Sequence, residues 1–224
     1  MKKFVLFVIA SVVAVSGMTA QNTFFPTKEG TKLDYAYLDA KGKATNYNRL
    51  TIKQVEGSGQ NMTITYGTLA LDKNRIPDNS IPEVQLTIVI TNGVLEWDMK
   101  SFAAPGTEGL IQFEGDKLRI PSSLAPGVKL DDVKFALTLN MGFKIRTECQ
   151  LTEQECLAIE DVTVPAGTFK CYKVTQKSTA TVMRKAVVTK TITWYSPNIG
   201  TIKSETYTDK DKLQSSTELI ALEN

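Results

Sequence analysis

The sequence predicts an all-β chain, a curled antiparallel sheet or barrel of about 12–13 strands. Three observations predict it. Thr, Val, Ile and Tyr are abundant and no stretch repeats with a helical period. Turn-forming pairs such as Lys41-Gly42, Asn92-Gly93, Gly115-Asp116 and Pro197-Asn198 recur at short spacing. Apolar and polar residues alternate between them, as Met62, Ile64 and Tyr66 do with Thr63 and Thr65.

The chain opens on MKKFVLFVIASVVAVSGMTA, a basic start, an apolar run and small residues. That order is a secretory signal peptide over 1–20, cut after Ala20. The apolar run is short for a bilayer span, which needs roughly 20 residues, and no later run matches it, so the mature chain is expected to have no transmembrane span. No cysteine stands near the cut, so no lipid anchor on an N-terminal cysteine is expected. Residues 21–224 then form a single β-barrel-like domain, long enough to bury its own core. Without Lys2 and Lys3 the mature domain keeps 24 basic residues against 24 acidic ones. Nucleic acid is not an expected partner, because its binders need a basic surplus to displace counterions.

Strands are expected at 32–39, 43–56, 60–72, 84–92, 93–100, 109–114 and 116–120. A second set, expected to form a meander, follows at 134–150, 155–164, 168–182, 186–196, 200–208 and 213–222. Asn92-Gly93 between apolar runs is the sharpest two-residue hairpin signal. The alternation changes phase at Gly67, which predicts a β-bulge there. Asn74–Pro82 and Pro121–Val133 are too proline-rich for central strands. They read as surface connections or lids, the second with a short helical turn near Leu130–Val133.

The chain has no histidine. That excludes the Ser-His-Asp triad, the Cys-His pair and every histidine-containing metal site. Nucleotide-loop motifs are also absent, so neither a cofactor nor a metal is expected and no catalytic residue is assigned. Carboxylate pairs need no histidine; the candidates are Glu153 with Glu155, Glu160 with Asp161, and Asp131 with Asp132. Neighbours on a strand point to opposite faces, which makes the adjacent pairs poor ones. Asp209-Lys210-Asp211-Lys212 lacks the glycine and distal glutamate of a calcium loop and reads as a solvated hairpin tip.

Cys149, Cys156 and Cys171 are the only cysteines. If Leu151–Gln154 is a four-residue hairpin loop, Cys149 faces Cys156 at near-disulfide distance, which makes that pair the candidate disulfide. Cys171 is then the odd thiol, expected as a small buried hydrophobe. Around it, EDVTVPAGTFKCYKV reads as a hairpin marked by Pro165 and Gly167. A loop of Pro165–Thr168 sets Val164 against Phe169, Val162 against Cys171 and Glu160 against Lys173. Aromatic residues spread through the strands, among them Tyr35, Tyr37, Tyr66, Trp97, Phe169, Tyr172 and Trp194, either fill a core or line an apolar cavity.

The order VPAGTFKCYK (164–173), then WYSPNIG (194–200), then a closing STELIAL strand resembles the DUF3108-type (TapB-like) secreted β-rich domains of Gram-negative bacteria. The resemblance covers roughly residues 120–222; the N-terminal half shows no signature of its own. It implies a curled sheet or barrel, similar in outline to periplasmic lipoprotein-carrier half-barrels, with no settled activity. Three functions fit: a periplasmic or extracellular carrier for an apolar or lipid-like ligand, an envelope structural or protein-interaction domain, or a carboxylate-dependent hydrolase.

Overall fold

The computed structural model describes residues 23–78, 80–98, 110–140 and 142–224. The leader expected at 1–20 lies outside the described residues. The strands are β1 (Lys32–Asp39), β2 (Ala44–Ser58), β3 (Asn61–Leu71), β4 (Val84–Thr91), β5 (Val94–Trp97), β6 (Ile111–Gly115), β7 (Leu118–Pro121), β8 (Val133–Asn140), β9 (Lys144–Val164), β10 (Gly167–Val182), β11 (Lys185–Ser196), β12 (Gly200–Thr208) and β13 (Leu213–Glu223). They form one antiparallel sheet in the order β6-β8-β9-β10-β11-β12-β13-β1-β2-β3-β4-β5-β7. The predicted meander therefore holds from β8 to β13. What local pattern could not show is that β13 returns to pair with β1, with Tyr37 opposite Thr217.

The sheet is not closed by hydrogen bonds, yet it curls. Cys156 on β9 and Val174 on β10 share one buried cluster with Ile52, Ile64, Ile88 and Leu95 of β2 to β5. Strands so far apart in sheet order meet only if the sheet wraps around that cluster. Residues 127–130 help the wrap: Gly127 donates to the Cys156 carbonyl, Cys156 to that of Val128, and Leu130 to that of Gln154, at 2.8–3.0 Å. The bridge of Lys129 to Glu155 keeps the register of β8 on β9, where Val133 faces Leu151. The proline-rich segment is thus a discontinuous extension of β8 and contains no helical turn. It also reaches the other edge of the sheet, where Ser122 donates to the Gly93 carbonyl.

Asn92 and Gly93 take positive φ values of 51° and 75° between paired Thr91 and Val94. That is the conformation a tight two-residue hairpin requires. The bulge predicted at Gly67 sits instead on the partner strand. Ile52 faces Tyr66 and Gln54 faces Thr65, so Lys53 is the extra residue. Gly67 has another role: a Cβ there would collide with the Glu83 and Lys53 side chains, whose 2.8 Å ion pair lies over it.

Two sequence expectations about cysteine geometry are corrected. Leu151–Gln154 is not a loop. It lies inside β9, where the polar stretch is absorbed by a bulge opposite Thr175–Lys177 and Glu153 adopts a φ of 53°. The turn falls earlier, between the paired Asn140 and Lys144, where Gly142 supplies a φ of 79°. Cys149 and Cys156 are consequently seven positions apart on one strand, roughly 23 Å at about 3.3 Å per residue. They cannot form the candidate disulfide; all three cysteines are free thiols.

The marker hairpin has a two-residue loop, Pro165-Ala166, with Gly167 (φ 137°) opposite Val164. Phe169 therefore faces Val162, and Cys171 faces Glu160. The expected register is off by two positions. A slip of two preserves every face assignment, so Val162, Val164, Phe169 and Cys171 still form the apolar stripe. They pack with Leu33, Trp194, Ile202 and Leu219 in a second cluster, and Ala166 donates to the Leu219 carbonyl at 3.3 Å.

Cys171 is fully buried, its thiol 3.3 Å from the Phe169 carbonyl, and burial pushes its pKa up to about 12. Cys156 is equally enclosed, whereas Cys149 is half-buried. Because thiolate and access control thiol reactivity, a maleimide added to the native protein is expected to modify Cys149 first. Cys156 and Cys171 should react only on unfolding; rapid native labelling of Cys171 would contradict the packing.

Glu160 and Lys173 pair at 3.3 Å as diagonal neighbours. Trp194 donates its indole N–H to Glu160 at 2.7 Å, and Lys173 and Lys203 stand 5.2 and 5.7 Å from the indole centroid. The indole hydrogen bond, with Lys173, holds the Glu160 carboxyl below its usual range. A depressed folded-state pKa stabilises fully above the unfolded value of about 4.3 and is lost as pH falls through the folded one. Trp194 fluorescence should therefore change on acidification below that value. Glu160→Gln should remove that step.

Candidate functional site

The curl leaves a cavity of about 340 Å³ inside the sheet. Register explains its wall. Thr68 faces Leu50, Asn48 faces Tyr35, Tyr37 faces Thr217 and Thr217 faces Ser204. Directly opposed residues share a face, so this row runs from β3 through β2, β1 and β13 to β12 and lines one side of the cavity. Leu86, Leu95, Trp97 and Ile120 line the other.

The floor comes from a segment that carries no strand. Thr23–Pro26 enters beside the β11–β12 turn, where the Thr23 hydroxyl contacts the Asn198 side-chain oxygen at 3.0 Å. Phe24 and Phe25 are 3% and 5% exposed. Phe24 meets Tyr172 edge-on at 5.2 Å and Tyr195 at 6.2 Å. Phe25 meets Tyr66 at 5.1 Å and Trp97 at 6.4 Å. Sequence reasoning missed both residues, since a lone Phe-Phe-Pro stretch has no alternation to read.

The cavity is apolar with a few placed polar groups. The Tyr35 hydroxyl donates to the Thr201 carbonyl at 2.9 Å, and burial raises its pKa. Burial raises the Tyr66 phenol too, partly offset by its contact with the Trp97 side chain. Among the described residues, Arg49 is the one charged residue of the lining. Its guanidinium grips the Asp34 carboxylate at 2.7 and 2.8 Å and is thereby neutralised. Tyr37, 38% exposed, marks the open margin. Of the aromatic residues picked out from sequence, the cavity gathers Tyr35, Tyr37, Tyr66 and Trp97, while Phe169 and Trp194 belong to the second cluster.

A second concavity, an open groove of about 930 Å³, runs over β9 to β12. It brings Asp132, Glu153 and Glu155 together with Asp209 and Asp211 along its walls. Their charge is partly met by lysines: Lys177 holds Glu153 at 2.9 Å and Lys190 approaches Asp211 at 3.7 Å. Asp131 and the Glu160-Asp161 pair do not line it. Among the described residues no group of three or more His, Cys, Asp or Glu could hold a metal ion. No helix among them is long and apolar enough to cross a membrane.

Two crystal structures share the architecture. One, described as an exported protein with a YmcC-like fold from Bacteroides fragilis, superposes with a TM-score of 0.72 at 25% identity, over 91% of this chain and all of that one. The other, described as a lipoprotein from Parabacteroides distasonis, gives 0.73 at 22% identity over 90% of this chain and 99% of that one. No curated protein sequence matches the chain. The DUF3108-like family profile matches residues 28–219, reaching well into the N-terminal half, where no signature was visible in the sequence itself. The strand order that returns β13 to β1 joins both halves in one fold, and the chain belongs to the DUF3108-like family.

Proposed function

We propose that the chain is an exported, non-catalytic binding module that holds an uncharged, lipid-like molecule in the aromatic cavity. One observation carries the reading: an apolar cavity of about 340 Å³ whose only charged lining residue, among the described residues, is already paired with Asp34. Ligand pockets span about 300–1,000 Å³ and are mostly apolar with a few polar anchors. Asn48, Thr68, Ser204 and Thr217 supply hydrogen-bonding partners for a hydroxyl or carbonyl end, while the Phe24-Phe25 floor takes the hydrocarbon. Export rests on the leader sequence at 1–20 and agrees with the description of the Bacteroides protein. The absence of histidine from the whole sequence supports the non-catalytic reading.

Trp97 lines the cavity and Trp194 does not, which gives a direct test. In a Trp194→Phe variant, a brominated fatty alcohol is expected to quench Trp97 fluorescence saturably. Thr68→Phe, which fills the cavity, should abolish the quenching. Quenching that is unsaturable, or untouched by Thr68→Phe, would refute the reading.

A further inference from the structure

Large apolar side chains are exposed at one end of the strands. Phe143 (62%) and Met183 (74%) are the most exposed of them among the described residues. Both sit in turns. Phe143 follows β8 and Met183 follows β10, and these turns are neighbours because Asn140 pairs with Lys144 and Thr147 with Val182. Leu110 and Val187, 49% and 53% exposed, lie at the same end. Leu110 accepts a backbone hydrogen bond from Asn140, and Val187 faces Ala180.

Charge follows the same geometry. Lys144 directly succeeds Phe143, and Arg184 and Lys185 directly succeed Met183; all three are exposed. No ion pair among the described residues engages them. Arg146 is different: it is held by Glu114 at 3.0 Å and Glu148 at 3.5 Å. At the opposite ends of these strands, the turns Pro165-Ala166 and Pro197–Ile199 carry no charge and no exposed large apolar residue. Along β9, β10 and β11 the arrangement is one-sided.

We infer that residues 142–144 and 183–185 form a membrane-docking edge, in which Phe143 and Met183 enter the headgroup boundary of an anionic bilayer while Lys144, Arg184 and Lys185 contact its phosphates. An apolar side chain followed by cations suits an interface that is greasy inside and negative outside. The long basic side chains lay their stems along the apolar region and keep their heads at the phosphates. A protein partner of mixed charge would not call for three unpaired cations beside two wedges. The inference is independent of the cavity, whose lining shares none of these residues.

The test is sedimentation of residues 21–224 with vesicles of phosphatidylglycerol and phosphatidylcholine, against vesicles of phosphatidylcholine alone. Binding is expected only to the anionic vesicles and should weaken with added salt. Phe143→Ser with Met183→Ser should lower it roughly tenfold or more. Arg184→Glu with Lys185→Glu should do so by about as much. Both double variants change exposed residues in or directly beside the turns, and an unchanged unfolding midpoint will show that they remain folded. Absence of binding to anionic vesicles would overturn the inference, as would binding that survives Phe143→Ser with Met183→Ser. A concentration-dependent dimer broken by the same substitutions, without vesicle binding, would also overturn it and make the edge a self-association surface.

Discussion

Replacing Phe25 with alanine is expected to lower the unfolding free energy by about 3–5 kcal/mol, the range for removing a buried phenylalanine. Phe25 is 5% exposed and meets both Tyr66 and Trp97 edge-on. The loss has two parts, the transfer of the ring from water and the void left behind. The void cannot collapse easily, because Tyr66 and Trp97 are fixed by their own strands. Urea unfolding of the variant measures the effect. A loss below about 1 kcal/mol would mean that the Thr23–Pro26 segment is not seated in the sheet as described. Because the ring is part of the cavity floor, the same variant should also bind an apolar ligand with altered selectivity, favouring larger molecules.

The second large effect is expected at the Asp34–Arg49 pair. Asp34 is 6% exposed, and its two carboxylate oxygens accept one hydrogen bond each from the guanidinium, at 2.7 and 2.8 Å. Arg49→Leu leaves a buried carboxylate without its partner, and such losses run about 3–5 kcal/mol. The low end of that range is expected, since the Arg49 side chain keeps 24% of its exposure. Removing both charges, Asp34→Leu with Arg49→Leu, should recover most of the stability, because desolvation then costs nothing. Chemical unfolding of the two single variants and the double variant gives the coupling energy. A double variant as unstable as the sum of the singles would show that the pair acts only through packing.

Much of the fold was legible because its signals are local. Alternation in Met62–Tyr66 and the Asn92-Gly93 turn specify strands and a hairpin from a few residues each. The marker hairpin shows where local reading stops. Its face assignment followed from parity, whereas its register depended on whether the loop takes two residues or four. Only packing against Leu33, Trp194 and Leu219 selects between them.

The cysteine error has the same origin. The polar stretch Leu151–Gln154 looks like a loop when read alone. In the fold, β8 with its discontinuous extension at 127–130 flanks it on one side and β10 on the other, and they carry it through as strand with a bulge. The cavity was the least legible feature. Its lining comes from strands at distant places in the sequence and from the Phe24-Phe25 pair, which belongs to no strand. No alternation pattern records that the sheet curls around a space rather than filling it.

Carriage of an apolar ligand is the central claim, and native mass spectrometry of the protein purified from its own host tests it most directly. The account predicts a second species, heavier by one small uncharged molecule, that organic extraction removes and that Thr68→Phe never shows. A single ligand-free species from the native host, together with a Thr68→Phe protein no different from it, would contradict the account.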